Sequence, residues 1–408
     1  MDVTPGLRRV PRPDLEAIGQ DEELAARIHA EIEHDGPITF ARFMELALYD
    51  PAGGYYRSGD ARPGRGGDFL TAPETHRIFG ATLARAVSET WERLDRPEPF
   101  VLREYGAGTG TLALTILAGL DAAGSPLAGR LRYEPIEVEP RRLEAIAARF
   151  RAAGRSRLLV DAVGAPAAIE GVVIANEVLD ALPTHRVVGR EGGLHEVFVG
   201  SRDGRFVDVE GAPSTRALAD RLQVEGIALA DGQRGEVCLA LDSWLASAAA
   251  GLERGVLLLI DYGYPATELY DPLRRHDGTL RAYVRQRVHD EPYRHVGRQD
   301  LTAHVDVSAV ERAAEAAGLS HLGTTTQAEF LVGLGIQEGL QATQADPSTT
   351  LEEYLALRSS LMRLLDPAAM GRFRVMGFGR AWPDGPPVAG FAYRLVRERT
   401  KPHQTTPD

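Results

Sequence analysis

The chain has 408 residues, 44% of them hydrophobic and 25% charged, which suits one enlarged globular domain or two. A formal net charge of −12 argues against a general nucleic-acid binder, because phosphate contacts need a basic surface. The single cysteine, Cys238, excludes an internal disulfide and the usual zinc clusters, and no apolar run approaches a membrane span. Residues 1–18 are rich in Pro and Arg and lack an apolar leader, so the expectation is a soluble, cytoplasmic protein.

In chain order, Leu24, Ile28 and Ile32 have helical spacing and predict a helix over 22–33, broken at Gly36-Pro37. A second helix is expected over 38–48 with Thr39 as its N-cap, then an aromatic turn through Tyr55 and Tyr56 that reads as packing. A Gly/Arg/Pro loop follows and ends in Gly67-Asp68-Phe69-Leu70-Thr71-Ala72-Pro73-Glu74, and a helix is predicted over 74–94. From residue 100 strands and helices alternate: strand 100–104, helix 111–120, strand 131–138, helix 141–152, short strand 157–160, strand 171–175 and strand 256–260. Residues 185–212 alternate in strand fashion with Gly-rich turns and read as a small antiparallel insertion, with helices over 214–224 and 239–253. The polar segment 271–306 lacks periodicity and reads as functional or as a lid. Helices over 307–317, 328–340 and 351–365 and strands over 321–326, 373–378 and 388–396 close the chain.

This pattern predicts an α/β fold: a Rossmann-like, doubly wound, mostly parallel sheet with ligands at the carboxyl ends of its strands. Three parts are expected: a helical cap over 1–95, a core over 96–270 with the β insertion at about 185–212, and 271–408 completing the sheet and a substrate-side lid. Glu104 leads into Gly106, Gly108 and Gly110, glycines that let the backbone approach a ligand closely. A dinucleotide fingerprint would need Gly or Ala at 111, where Thr111 stands, so the turn looks like the first motif of a class I S-adenosyl-L-methionine (SAM) methyltransferase. Every core strand then ends in an acid or amide: Glu104, Glu137 or Glu139, Asp161, Asn176-Glu177, and Asp261. Carboxylates suit the sulfonium, ammonium and ribose diol of SAM. Glu137 or Glu139 is placed for the ribose, Asp161 for the adenine amino group or a turn, and Glu104 for the ammonium or for ordering the loop.

At this point the residues resemble a known family. It is the MidA-type SAM-dependent methyltransferase family, which includes a mitochondrial assembly factor for respiratory NADH dehydrogenase that is a protein arginine methyltransferase. The resemblance spans roughly residues 25–380. It rests on Gly54-Tyr55-Tyr56, on the 67–74 motif, on Glu104-Tyr105-Gly106-Ala107-Gly108-Thr109-Gly110, and on Asn176-Glu177-Val178-Leu179-Asp180-Ala181-Leu182-Pro183. It also rests on Ile260-Asp261-Tyr262-Gly263-Tyr264, Gly278-Thr279-Leu280 and Asp300-Leu301-Thr302-Ala303-His304-Val305-Asp306. Departures at Thr75-His76, Glu139 and Tyr283-Val284-Arg285 bear on the acceptor rather than the cofactor.

The resemblance implies a class I methyltransferase core, SAM as cofactor and symmetric dimethylation of a protein arginine. The partners expected are a protein substrate and a second copy of the chain as homodimer, with no metal, nucleic acid or membrane. For a guanidinium acceptor, Glu177 and Asp180 would hold the cation and localise its charge. Asn176 binds through its side chain or caps the next helix; Asp68 and Thr71 are placed for the cofactor, and Asp68 and Glu74 close over the site from the cap or serve locally as a turn residue and a first-turn helix acid. His304 with Asp306 is a candidate acid/base pair, and Tyr262 is placed to line the acceptor pocket. The rivals are a Rossmann oxidoreductase, a small-molecule methyltransferase, and a SAM-binding assembly factor with little activity.

Overall fold

A computed structural model describes residues 18–57, 71–160, 168–285 and 287–393. Asp68 and Asp161 lie outside the described residues. The main sheet has six strands, labelled β1 Val101–Tyr105, β2 Arg132–Ile136, β3 Ile169–Asn176, β4 Leu252–Asp261, β5 Ser320–Thr326 and β6 Arg374–Arg380, in the order β5-β6-β4-β3-β1-β2. Strands β2, β1, β3 and β4 run parallel, β6 is antiparallel to β4, and β5 is antiparallel to β6.

The near-continuous apolar runs of β3 and β4 follow from burial on both faces. Val172, Ile174 and Leu258 point to one side, where Ile78–Arg93 and Thr111–Ala122 pack. Val173, Ala175, Leu257 and Leu259 point to the other, against Ala240–Ala250 and Val307–Ala316. Period-two alternation thus divides one hydrophobic run between two cores. Arg103, fully buried on β1, bonds the Glu134 carboxylate opposite it on β2 at 2.8 and 2.9 Å and the carbonyl of Gly251 at 2.8 Å. The pair satisfies the charge that burial would otherwise strand.

A second, five-stranded antiparallel sheet stands beside the first. It is built from Ile38–Thr39, Gly193–Arg202, His185–Arg190 and Arg234–Val237, with Arg205–Gly211 paired to Gly193–Arg202. Helices Glu22–Asp35 and Phe40–Tyr49 share a core with it, centred on Phe40, Phe43 and Phe206. Asp21 and Thr39 cap those helices through Leu24 N–H at 2.9 Å and Arg42 N–H at 3.1 Å.

Several elements differ from the sequence reading. Ile38 and Thr39 form an edge strand on Val199 and Phe198, and the helix begins at Phe40. The helix read over 74–94 is two, Ala72–Thr75 and Ile78–Arg93. Gly335, at φ +78°, splits the one read over 328–340. The strand read over 157–160 is a turn of 3₁₀ helix followed by a single bridge from Leu159 to Tyr133. The segment 271–306 contains short strands, Arg281–Val284, Arg287–His289, Asp300–Thr302 and Val305–Asp306. A helical turn, Ala389–Ala392, stands where the last strand was expected.

Candidate active site

The carboxyl ends of β1, β2 and β3 open on a cleft of about 610 Å³. Its floor is the turn after β1. Gly106, Gly108 and Gly110 all adopt left-handed backbone, at φ 64°, 56° and 71°. A Cβ on Gly106 would sit 2.8 Å from Val178 Cγ2, so the turn needs glycine for conformation and for space. Gly110 opens the helix Thr111–Ala122, whose first turn faces the cleft through Thr111 and Leu112. Free N–H groups at such a start favour electron-rich ligand atoms.

Glu137 follows β2 and lines the cleft; one carboxylate oxygen accepts from Gly108 N–H and Arg142 lies 3.7 Å away. Glu139 does not share this position. It caps Pro140–Ala152, accepting from Arg141 N–H at 3.2 Å. Glu104 is buried under the turn, where Tyr133 donates to it at 2.7 Å. Burial pushes its carboxyl up to about 8 despite that bond, and the nearby Glu137 adds to the shift. Thr71 and Glu74 reach the cleft from Ala72–Thr75, and Thr109 donates to Glu74 at 2.7 Å.

The loop after β3 forms the next wall. Glu177 holds φ +54°, uncommon for a residue with a side chain and a sign of a locally constrained site. Its Oε1 accepts from Asn176 Nδ2 at 3.0 Å and from Ala72 N–H at 3.3 Å, which joins the turn Ala72–Thr75 to the strand end. Burial, then the charge of Asp180, push Glu177 up to about 8. Asp180 is pushed up to about 6 by burial, and a bond from the Tyr262 hydroxyl to its Oδ2 opposes the shift. Asn176 Oδ1, Asp180 Oδ1 and His304 Nδ1 are buried and have no hydrogen-bond partner among the described residues.

Asp261, at the end of β4, turns inward. Its Oδ2 accepts from the backbone N–H groups of Val178, Leu179 and Asp180 at 3.2, 2.9 and 3.2 Å, and its Oδ1 from Tyr262 N–H at 2.8 Å. It shapes the loop from beneath. Thr279 is similarly anchored, with N–H and hydroxyl bonds to Glu236 at 2.7 and 2.9 Å.

His304 lines the cleft between the rings of Tyr262 and Tyr264. Burial, with Arg275, Arg372 and Arg281 nearby, lowers its pKa to about 4. The expected pairing with Asp306 is not made. Asp306 caps Val307–Ala316 through Ala309 N–H at 3.1 Å, so that oxygen is committed to the helix.

Sequence reasoning missed a tyrosine-rich wall. Tyr49 stacks on Tyr56 at 5.4 Å, Tyr56 donates to Asp300 at 2.8 Å, and all three line the cleft. Tyr55 beside them is buried packing, as read. Tyr283, Arg372 and Phe373 complete that end. Tyr56 and Asp300 both fall within recognised motifs, but only the fold brings them together.

Parallel strands with a left-handed glycine turn after β1, acids at the strand ends, and antiparallel β6 beside β4 define a class I methyltransferase. The family model described as S-adenosyl-L-methionine-dependent methyltransferase matches residues 82–325. The Drosophila melanogaster mitochondrial protein arginine methyltransferase NDUFAF7 homolog is 30% identical, covering 94% of this chain and 92% of its own. The Homo sapiens mitochondrial protein arginine methyltransferase NDUFAF7 is 29% identical over 84% and 79%. A crystal structure of a Burkholderia thailandensis protein bound to S-adenosyl-homocysteine matches with TM-score 0.82 and 36% identity, covering 93% and 97% of the two chains. The chain belongs to the S-adenosyl-L-methionine-dependent methyltransferase family, and SAM is its cofactor.

The glycine floor, the uncapped helix start and the acids along the cleft fit that cofactor's ammonium, carboxylate and diol. The expected cytoplasmic location is corrected, because the fly, mouse and human relatives are named as mitochondrial proteins.

Proposed function

We propose that the chain methylates a guanidinium nitrogen of an arginine in a protein substrate. The observation that carries this reading is the buried Asp180 carboxylate at the cleft, with Oδ2 held by Tyr262 and Oδ1 without a partner among the described residues. A carboxylate so placed suits a cationic, hydrogen-bonding group, and guanidinium meets carboxylates through two parallel bonds. Glu177 supplies a second carboxyl group, which a bound cation would ionise, and Tyr49, Tyr56 and Tyr283 line the same cleft. The names of the fly and human relatives, protein arginine methyltransferases, point the same way.

SAM, when bound, supplies an electrophilic methyl group. On this reading Glu137 accepts hydrogen bonds from the ribose hydroxyls. The glycine turn takes the amino-acid end, and Asn176 Oδ1 accepts from a cofactor or acceptor N–H. Glu177 and Asp180 draw the positive charge away from the attacking nitrogen and orient it.

The test is transfer of labelled methyl from SAM to proteins of a cell extract, followed by mass spectrometry of the labelled residue. Methylarginine that disappears with Asp180→Asn supports the reading. Label confined to small metabolites overturns it.

A further inference from the structure

The acceptor end of the cleft backs onto a second, much smaller cavity of about 20 Å³. Asp180 and His304 line both spaces, and Asp306 lines the inner one. Asp306 commits Oδ1 to its helix cap, while Oδ2 is buried with no hydrogen-bond partner among the described residues. Asp180 Oδ1 and His304 Nδ1 share that condition. Three such atoms on residues that line one cavity are unusual, since each buried, unsatisfied group costs ~1–3 kcal/mol. The volume is enough for one water, and a buried water makes about three hydrogen bonds to groups of this kind.

We propose that the inner cavity holds one ordered water that links Asp180, His304 and Asp306 and carries away the proton released at the acceptor atom. The inference rests on the methyl-transfer reading only in requiring an acceptor that bears a hydrogen. As the nitrogen–carbon bond forms, the pair of the broken carbon–sulfur bond stays on sulfur and the nitrogen gives up one proton. Asp180 takes that proton, the water accepts it from Asp180, and Asp306 accepts one from the water.

The surroundings suit this passage. Tyr262 donates to Asp180 Oδ2, which leaves Oδ1 as the accepting oxygen. Burial raises Asp180 and Asp306 alike, to about 6 each, so both accept a proton more readily than a solvated carboxylate does. His304 is neutral near pH 7, under burial and the charges of Arg275, Arg372 and Arg281, and orients the water without trapping the proton. Glu225, Arg312 and Arg221 face Asp306, and Glu236, Cys238 and Tyr270 complete the wall.

A crystal structure of the full chain that resolves ordered waters tests the site directly. A water within hydrogen-bond distance of His304 Nδ1 and Asp306 Oδ2 is expected; a dry cavity overturns the proposal. Asp306→Asn tests the passage, because asparagine caps a helix as well as aspartate does. The expectation is a kcat lowered ~10-fold at pH 7 and a displaced acid limb near pH 6, with SAM affinity by calorimetry unchanged. A wild-type kcat and pH profile overturns the proton role, as does weakened cofactor binding with an unmoved limb. Label appearing on a different N–H or O–H group overturns the arginine reading and supports this one. No transfer to any acceptor by the wild-type chain overturns both.

Discussion

Leu179 donates its backbone N–H to Asp261 Oδ2 at 2.9 Å, and through this bond the end of β4 sets the loop that follows β3. Val178 and Asp180 donate to the same oxygen, so one carboxylate organises three consecutive peptide groups between Glu177 and Ala181. Asp261→Ala leaves those donors and Tyr262 N–H without an acceptor. Stability should fall by about 3–5 kcal/mol, read as a lowered urea midpoint, with a milder fall in Asp261→Asn, which keeps one oxygen. An alanine variant within about 1 kcal/mol of wild type would show that the loop holds its shape unaided.

Gly106→Val should abolish SAM binding while the chain stays folded. The added side chain meets Val178 Cγ2, and a left-handed conformation costs a branched residue about 1–2 kcal/mol. Calorimetry with SAM should show at least a ~100-fold loss, a difference of about 2.7 kcal/mol. Unchanged affinity would remove the turn from the cofactor site.

Glu137 and Glu139 separate by their geometry. Glu137→Ala should weaken SAM binding ~10–100-fold, the worth of hydrogen bonds to a charged acceptor. Glu139→Ala should leave binding alone and cost about 1 kcal/mol of stability through the lost helix cap. The reverse pattern, seen by calorimetry and thermal melts, would transfer the ribose role to Glu139.

The cofactor-free protein should lose stability as pH rises from 6.5 to 8. Glu104 and Glu177 both carry folded-state values near 8, above those of an unfolded chain. A raised carboxyl binds its proton more tightly when folded. Its contribution is complete below about pH 4.5, is lost as pH rises, and stops changing once the folded group has ionised near 8. The lowered His304 acts oppositely but below about 6.5, so the upper window is free of it. Melting temperature should drop by about 5 °C across that window, and Glu104→Gln with Glu177→Gln should flatten the slope. A flat wild-type profile would mean that neither carboxyl is held protonated.

The strand–turn–helix of β1 was readable because its signals are local: an apolar run, three glycines and a helix-forming stretch in sequence. The cap at Thr39 and the helix over 351–365 were readable for the same reason. The tyrosine wall was not, because Tyr56 and Asp300 are joined only by tertiary folding. Asp306 stands two residues from His304, and that spacing suggested a pair. The competing demand of a helix start for an N-cap took the carboxylate instead. The short strands of 281–302 escaped because elements of three or four residues carry too little periodicity to stand out.

Ile38 pairs with Val199, so the first helices find their sheet only after half the chain has left the ribosome. Tyr49 and Tyr56, which line the cleft, belong to that early segment, while Asp300 and Arg372 come from the last third of the chain. The glycine turn can take shape from neighbours in sequence, but the opposite wall must wait for synthesis to finish. A stalled or shortened chain therefore carries the glycine turn without the wall that faces it across the cleft.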